Sequence, residues 1–203
     1  MRRNLSLSVA TLLIAFLTRA TAAQEPGAGA VIEAAKRGGV VIACRHGLSE
    51  RFDENEMTLV YDDPATQRKL SAEGERQSRA MGEAFRALGI RPAEVIASPM
   101  QRARRMAELM FDRVTLDSSW HTRGTNYGGA KSDRRRAVLS APVRDGNRVI
   151  ISHIGTLNAA VGPPDLGLDE GDCAVIRPDG TRFGVIGTVR WREWLEAAGV
   201  PKP

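Results

Sequence analysis

Val40-Val41-Ile42-Ala43-Cys44-Arg45-His46-Gly47 is a short apolar run, rich in β-branched residues, that stops abruptly on a cation, an imidazole and a glycine. Bounded by Gly38-Gly39 and Gly47, a run of this length predicts a strand buried on both faces, as in parallel sheets. Ligands of open α/β sheets gather at the carboxyl ends of such strands. Arg and His are poor core fillers, because burying a charge without a partner is costly. Arg45 and His46 therefore read as candidate site residues.

The same pattern recurs twice. Val95-Ile96-Ala97 is a second buried run, ended by Ser98-Pro99, and a helix over 100–111 puts Arg102 in its first turn, facing back to the strand ends. Arg148-Val149-Ile150-Ile151-Ser152-His153 is the third; Gly155 follows, and a helix over 156–161 starts at once, where free backbone N–H groups suit an anion. The intervening chain supplies a short helix over 30–36, a long polar connection over 48–69 that would rim the site, and a helix over 71–88. Ser71 is the expected N-cap of that last helix, Met81, Ala84, Phe85 and Leu88 its core stripe, and Gly89 its stop. Further on, 114–116 reads as a strand and 120–131 as Gly-rich and irregular. Ser132 would cap a helix through Leu139, with Arg134-Arg135-Arg136 on a solvated face. Residues 173–176 and 183–189 form a hairpin around Asp179-Gly180, and a helix over 190–198 packs through Trp191, Trp194 and Leu195.

The 203 residues are 42% hydrophobic and 26% charged, which suits one domain over 24–203. Residues 1–23 have a different layout: Arg2 and Arg3, an apolar stretch over 5–17, then small residues at 20–23, as in a secretory signal peptide too short to span a bilayer as a mature anchor. A periplasmic or secreted protein follows, without a membrane span once the signal is cleaved. The chain has 29 Lys and Arg against 24 Asp and Glu, but Arg2, Arg3 and Arg19 lie in that segment and no acid does, so the remainder carries only +2. With aromatics at 5%, nothing points to nucleic acid. Cys44 and Cys173 could pair if their strands are neighbours; two small buried thiols is the reading preferred, since bridging demands a narrow Cα separation.

In order, Arg45-His46-Gly47, then Ser98-Pro99-Met100-Gln101-Arg102-Ala103, then Ser152-His153-Ile154-Gly155 resemble the histidine phosphatase superfamily, the phosphoglycerate-mutase-like fold, and within it an exported bacterial phosphatase branch. The resemblance implies an α/β three-layer sandwich, with a mostly parallel central sheet and helices on both faces. It also implies that His46 is the nucleophile of a phosphomonoester hydrolase, forming a phosphohistidine without metal or cofactor, with Arg45, Arg102 and His153 catalytic and holding the phosphoryl oxygens. Ser49 and Gly155 join the expected substrate-binding set. The partner is a phosphorylated small molecule or envelope component.

Two departures stand out. Phe52 occupies the place of an Asn that the mutase-like branch carries. The Glu that protonates the leaving oxygen has no counterpart near Trp120-His121-Thr122, and Ile154 after His153 excludes the His-Asp pair of the acid-phosphatase branch. Glu50, Asp53 and Glu54 are the substitutes for that acid, and a leaving group that is already good would need it less. His121 reads as an exposed loop residue. Two other functions fit the same residues: a phosphomutase, and a non-catalytic phosphate-binding module of the same fold.

Overall fold

The computed structural model describes residues 26–50, 63–121 and 129–203. The expected signal segment 1–23, and Phe52, Asp53 and Glu54, lie outside them. Strands β1 (Val41–Arg45), β2 (Pro92–Ala97), β3 (Thr115–Leu116), β4 (Asn147–Ser152), β5 (Cys173–Pro178) and β6 (Phe183–Val189) form one sheet in the order β3-β2-β4-β1-β5-β6. β3, β2, β4 and β1 run parallel; β5 is antiparallel to β1, and β6 to β5.

Side chains alternate across a strand, so the continuous apolar runs serve two faces at once. Ile42, Cys44, Val149, Ile151 and Val175 face a layer made by α1 (Ala28–Arg37), α2 (Ala72–Ala87), α3 (Gln101–Met110) and α6 (Trp191–Ala198). Val41, Ala43, Ile150, Ala174 and Ile176 face the opposite layer, which contains α4 (Gly129–Ser140) and α5 (Ile154–Val161). The architecture is the three-layer α/β sandwich. The first layer is closed by Trp194, fully buried with its ring centroid 5.0 Å from that of Phe85, a pairing worth about 1 kcal/mol beyond its area.

Two local devices place the strand ends. Ser71 caps α2, its Oγ accepting from Gly74 N, while its own N–H donates to Leu48 O. The segment after β1 therefore crosses the first turn of α2 at contact distance: a Cβ on Gly74 would lie 1.8 Å from Leu48 O. Asn147, buried at the start of β4, donates to Ala35 O and accepts from Val40 N, fixing α1 against the start of β1.

The structure corrects several expectations. Cys44 and Cys173 are direct register partners of β1 and β5 and form a disulfide; the thiol reading failed because the sequence does not show which strand β5 pairs with. Helix α4 begins at Gly129, with Ser132 buried inside it, and Arg135 is 1% exposed. Successive helical residues are about 100° apart, so three consecutive arginines do not share a solvated face. His121 is buried too, its carbonyl accepting from Thr156 Oγ1. The expected strand over 114–116 is a two-residue edge with Leu116 45% exposed. Among the described residues no helix is long and apolar enough to cross a membrane.

Candidate active site

Parallel pairing sets the three motif ends side by side: Arg45 is level with Ser152, and Ala97 with Ile151. The residues that follow, His46, Ser98 and His153, are all buried at the same sheet edge. His46 N–H donates to Ser152 O and Ser98 N–H to Ile151 O, so the ladder continues one step past the strands and fixes each side chain's origin. Arg102, the second residue of α3, is 4% exposed and reaches back over this edge.

The His46 ring has defined partners on both nitrogens. Nδ1 lies 2.9 Å from Gly47 O, and Nε2 is 3.0 Å from Arg102 Nε. A carbonyl only accepts and a guanidinium only donates, so Nδ1 carries the proton and Nε2 presents its lone pair to a cationic region. Burial, and then the charge of Arg102, hold the His46 pKa well below the usual imidazole value, with smaller contributions from Arg45 and Arg68. The ring is neutral and nucleophilic at neutral pH.

His153 caps α5, its ring centroid 5.2 Å from that of His46. Burial lowers its pKa first, followed by His46, Arg102, His121 and Arg68. Ser98 Oγ accepts from Met100 N and lies 2.9 Å from His153 Nε2. In the tautomer in which the Ser98 hydroxyl donates to Nε2, the ring proton stands on Nδ1, a buried atom without a hydrogen-bond partner. Arg45 donates through one terminal nitrogen to Leu168 O at 3.0 Å, while its Nε is buried and equally unpartnered. Two unsatisfied buried donors beside a lone-pair nucleophile make an arrangement suited to a tetrahedral anion.

Of the remaining expected residues, Gly155 lies in the exposed first turn of α5, where backbone N–H groups lack helical partners. Ser49 is turned to another partner: its Oγ donates to Glu170 Oε1 at 2.5 Å and its N–H to Oε2 at 3.3 Å. Glu50 is exposed on a cavity of about 430 Å³ that opens beside Arg45 and Ser49, and among the described residues its carboxylate pairs with no site side chain.

Two residues that sequence reasoning did not single out join the site. Arg68 acts electrostatically on both histidines and lies 3.8 Å from Glu170. Glu170 itself is 3.8 Å from His46 Nδ1 and from an Arg45 terminal nitrogen. The usable signal was the antiparallel start of β5: wherever β5 pairs with β1, the acidic turn before it must meet the end of β1.

The family model described as histidine phosphatase superfamily (branch 1) matches residues 41–124, the stretch from β1 past Arg102. A 2,3-bisphosphoglycerate-dependent phosphoglycerate mutase of Caulobacter sp. is 35% identical over 95 residues, 44% of this chain and 38% of that protein, so the match spans well under half of that relative. Among solved structures, the protein histidine phosphatase SixA complexed with tungstate shares the fold at TM-score 0.57 and 17% identity, over 75% of this chain and 97% of that one. A mycobacterial glucosyl-3-phosphoglycerate phosphatase with inorganic phosphate superposes at TM-score 0.53 and 16% identity, over 76% and 99%. A putative alpha-ribazole-5'-P phosphatase of Escherichia coli does so at 0.52 and 17%, over 72% and 94%. The motifs at three adjacent strand ends, the family model matched over residues 41–124 and the shared sheet make this chain similar to the histidine phosphatase superfamily.

Proposed function

We propose that this protein is a phosphomonoester hydrolase that works through a phosphohistidine on His46. The observation that carries the reading is the tautomer: Nδ1–H is committed to Gly47 O, and the Nε2 lone pair stands 3.0 Å from Arg102 Nε. In the first step Nε2 bonds to phosphorus as the ester P–O bond breaks and the leaving oxygen departs with the bonding electrons. Arg45, Arg102 and the Nδ1–H of His153 stabilise the three equatorial oxygens, where charge accumulates. In the second step water attacks phosphorus, the P–Nε2 bond breaks, and the ring returns to its neutral form while phosphate leaves. No step is assigned to a metal.

Glu50 forms no contact with the nucleophile among the described residues, and Asp53 and Glu54 lie outside them, so no group is assigned to protonate the leaving oxygen. Esters with weakly basic leaving groups should therefore turn over fastest. Export to an oxidising compartment is part of the proposal; the apolar stretch over 5–17 after Arg2 and Arg3, and the Cys44–Cys173 disulfide, support it. The mutase relative favours a second reading, phosphoryl transfer between positions of one sugar phosphate.

The test is hydrolysis of an aryl phosphate between about pH 4 and 8, with and without chelator. Turnover that survives chelator and is lost in His46→Ala supports the hydrolase. An inert wild type that phosphate nevertheless protects against heat supports a binding module instead. Redistribution of phosphate on a sugar phosphate, without release, supports the mutase.

A further inference from the structure

Glu170 has no role in the scheme above, yet it is the one carboxylate within 4.0 Å of the His46 ring among the described residues. We propose that Glu170 is a positioning residue for the nucleophile: fixed by Ser49, it stands on the Nδ1 side of His46 and stabilises the positive charge that the imidazole gains as Nε2 takes the phosphoryl group. The proposal rests on His46 being the phosphorylated residue.

The carboxylate is held rather than merely near. Ser49 binds both of its oxygens, through Oγ and the backbone N–H, and Arg45 and Arg68 approach the Oε1 atom at 3.8 Å. Its backbone is fixed as firmly: Gln77 Nε2 donates to Glu170 O, Gly171 N–H to His46 O, and Arg45 N–H to Asp172 O. Gly171 takes φ +95°, a conformation that favours glycine, and it packs against the Gln77 amide. Two residues further on, the Cys44–Cys173 disulfide joins β5 to β1, the strand that ends next to His46.

The geometry separates this role from that of a general acid. In-line transfer at Nε2 places the leaving oxygen beyond that atom, on the edge of the ring away from Nδ1, whereas Glu170 approaches Nδ1. Before attack the ring is neutral and faces Arg102 from α3, Arg45 from β1, Arg68 from the segment before α2, and His153 at the start of α5. The three arginines suit the incoming phosphoryl anion and disfavour the cationic phosphoimidazole that follows. A fixed carboxylate opposite them counters that penalty, as the carboxylate partners of catalytic histidines do elsewhere.

The experiment compares wild type, Glu170→Gln and Ser49→Ala in rapid-quench turnover of an aryl phosphate, with full pH profiles. Glu170→Gln should form phosphoenzyme about 10- to 100-fold more slowly, with KM no higher than wild type. The acid limb of kcat/KM should move toward lower pH, since removing the negative charge makes the ring harder to protonate. Ser49→Ala, which loosens the carboxylate but keeps its charge, should slow the same step several-fold and leave the acid limb in place. Wild-type rate and acid limb in Glu170→Gln overturn the proposal. Should that variant not fold, a full phosphorylation rate in Ser49→Ala overturns it. A wild type that turns over without phosphorylating His46 removes the nucleophile reading itself, and this inference with it.

Discussion

Acidification should unfold this protein through the two histidines of its site. His46 and His153 are 2% and 3% exposed. Burial is the largest cause of the lowered pKa of each, followed by Arg102 for His46 and by His46 and then Arg102 for His153. The folded values lie below the unfolded value of 6.5. Within that window the unfolded chain binds more protons than the folded one, so stability rises with pH. The contribution is fully present above about 6.5 and is lost as pH falls toward the folded values. Each pH unit within the window removes about 1.4 kcal/mol per histidine, so the pair removes up to about 4 kcal/mol between pH 7 and 5. That is a large share of a typical domain stability of about 5–15 kcal/mol. Urea unfolding of wild type and of His46→Asn/His153→Asn at pH values between those limits measures it directly. Glu75 and Asp117, whose carboxyls are held below their ordinary values of 4.5 and 3.8, titrate beneath this window. Asp172, raised chiefly by burial, has the opposite sign and is common to both proteins. Equal acid losses in wild type and double variant would refute the reasoning.

Arg102→Lys should keep the fold but cut kcat/KM by about 100-fold in steady-state assays, because an ammonium does not reproduce the fork that donates to His46 and, in the proposed scheme, to the phosphoryl oxygens; near-normal activity would contradict this. Gly74→Ala should cost about 3 kcal/mol or more in urea unfolding, since its Cβ would meet the Leu48 carbonyl and neither backbone gives way cheaply. Replacing Cys44 and Cys173 together by Ala should lower stability by about 3 kcal/mol and abolish the sensitivity of wild-type unfolding to reductant; an unchanged unfolding midpoint would count against a structural disulfide.

Strand ends were readable because a fully buried strand must be apolar, so a cation or imidazole closing one is conspicuous; Arg45, His46 and His153 carry that signature, Arg102 sits in the first turn of the helix that follows β2, and all four reach one sheet edge. Arg68 and Glu170 lie in polar stretches without periodicity, where composition gives no orientation, and only the tertiary pairing brings them to His46. The disulfide was hidden for the same reason: pairing β5 with β1 makes Cys44 and Cys173 direct partners, and no local pattern states that pairing. Ser49 shows the opposite limit, a residue expected to bind substrate whose hydroxyl proton goes to Glu170 instead. Burial of His121 and Arg135 was illegible because both sit in stretches whose polar composition resembles solvated surface.

The central claim is that His46 becomes phosphorylated, and trapping tests it most directly. The protein is mixed with an aryl phosphate, quenched in alkali within the first turnover and digested, and the peptides are mapped by mass spectrometry. The account predicts a phosphoryl group on His46 that is stable to alkali and lost in acid, appears before phosphate release, and is absent from His46→Ala. Release of phosphate at the full rate with His46 unmodified, or turnover that persists in His46→Ala, would contradict it.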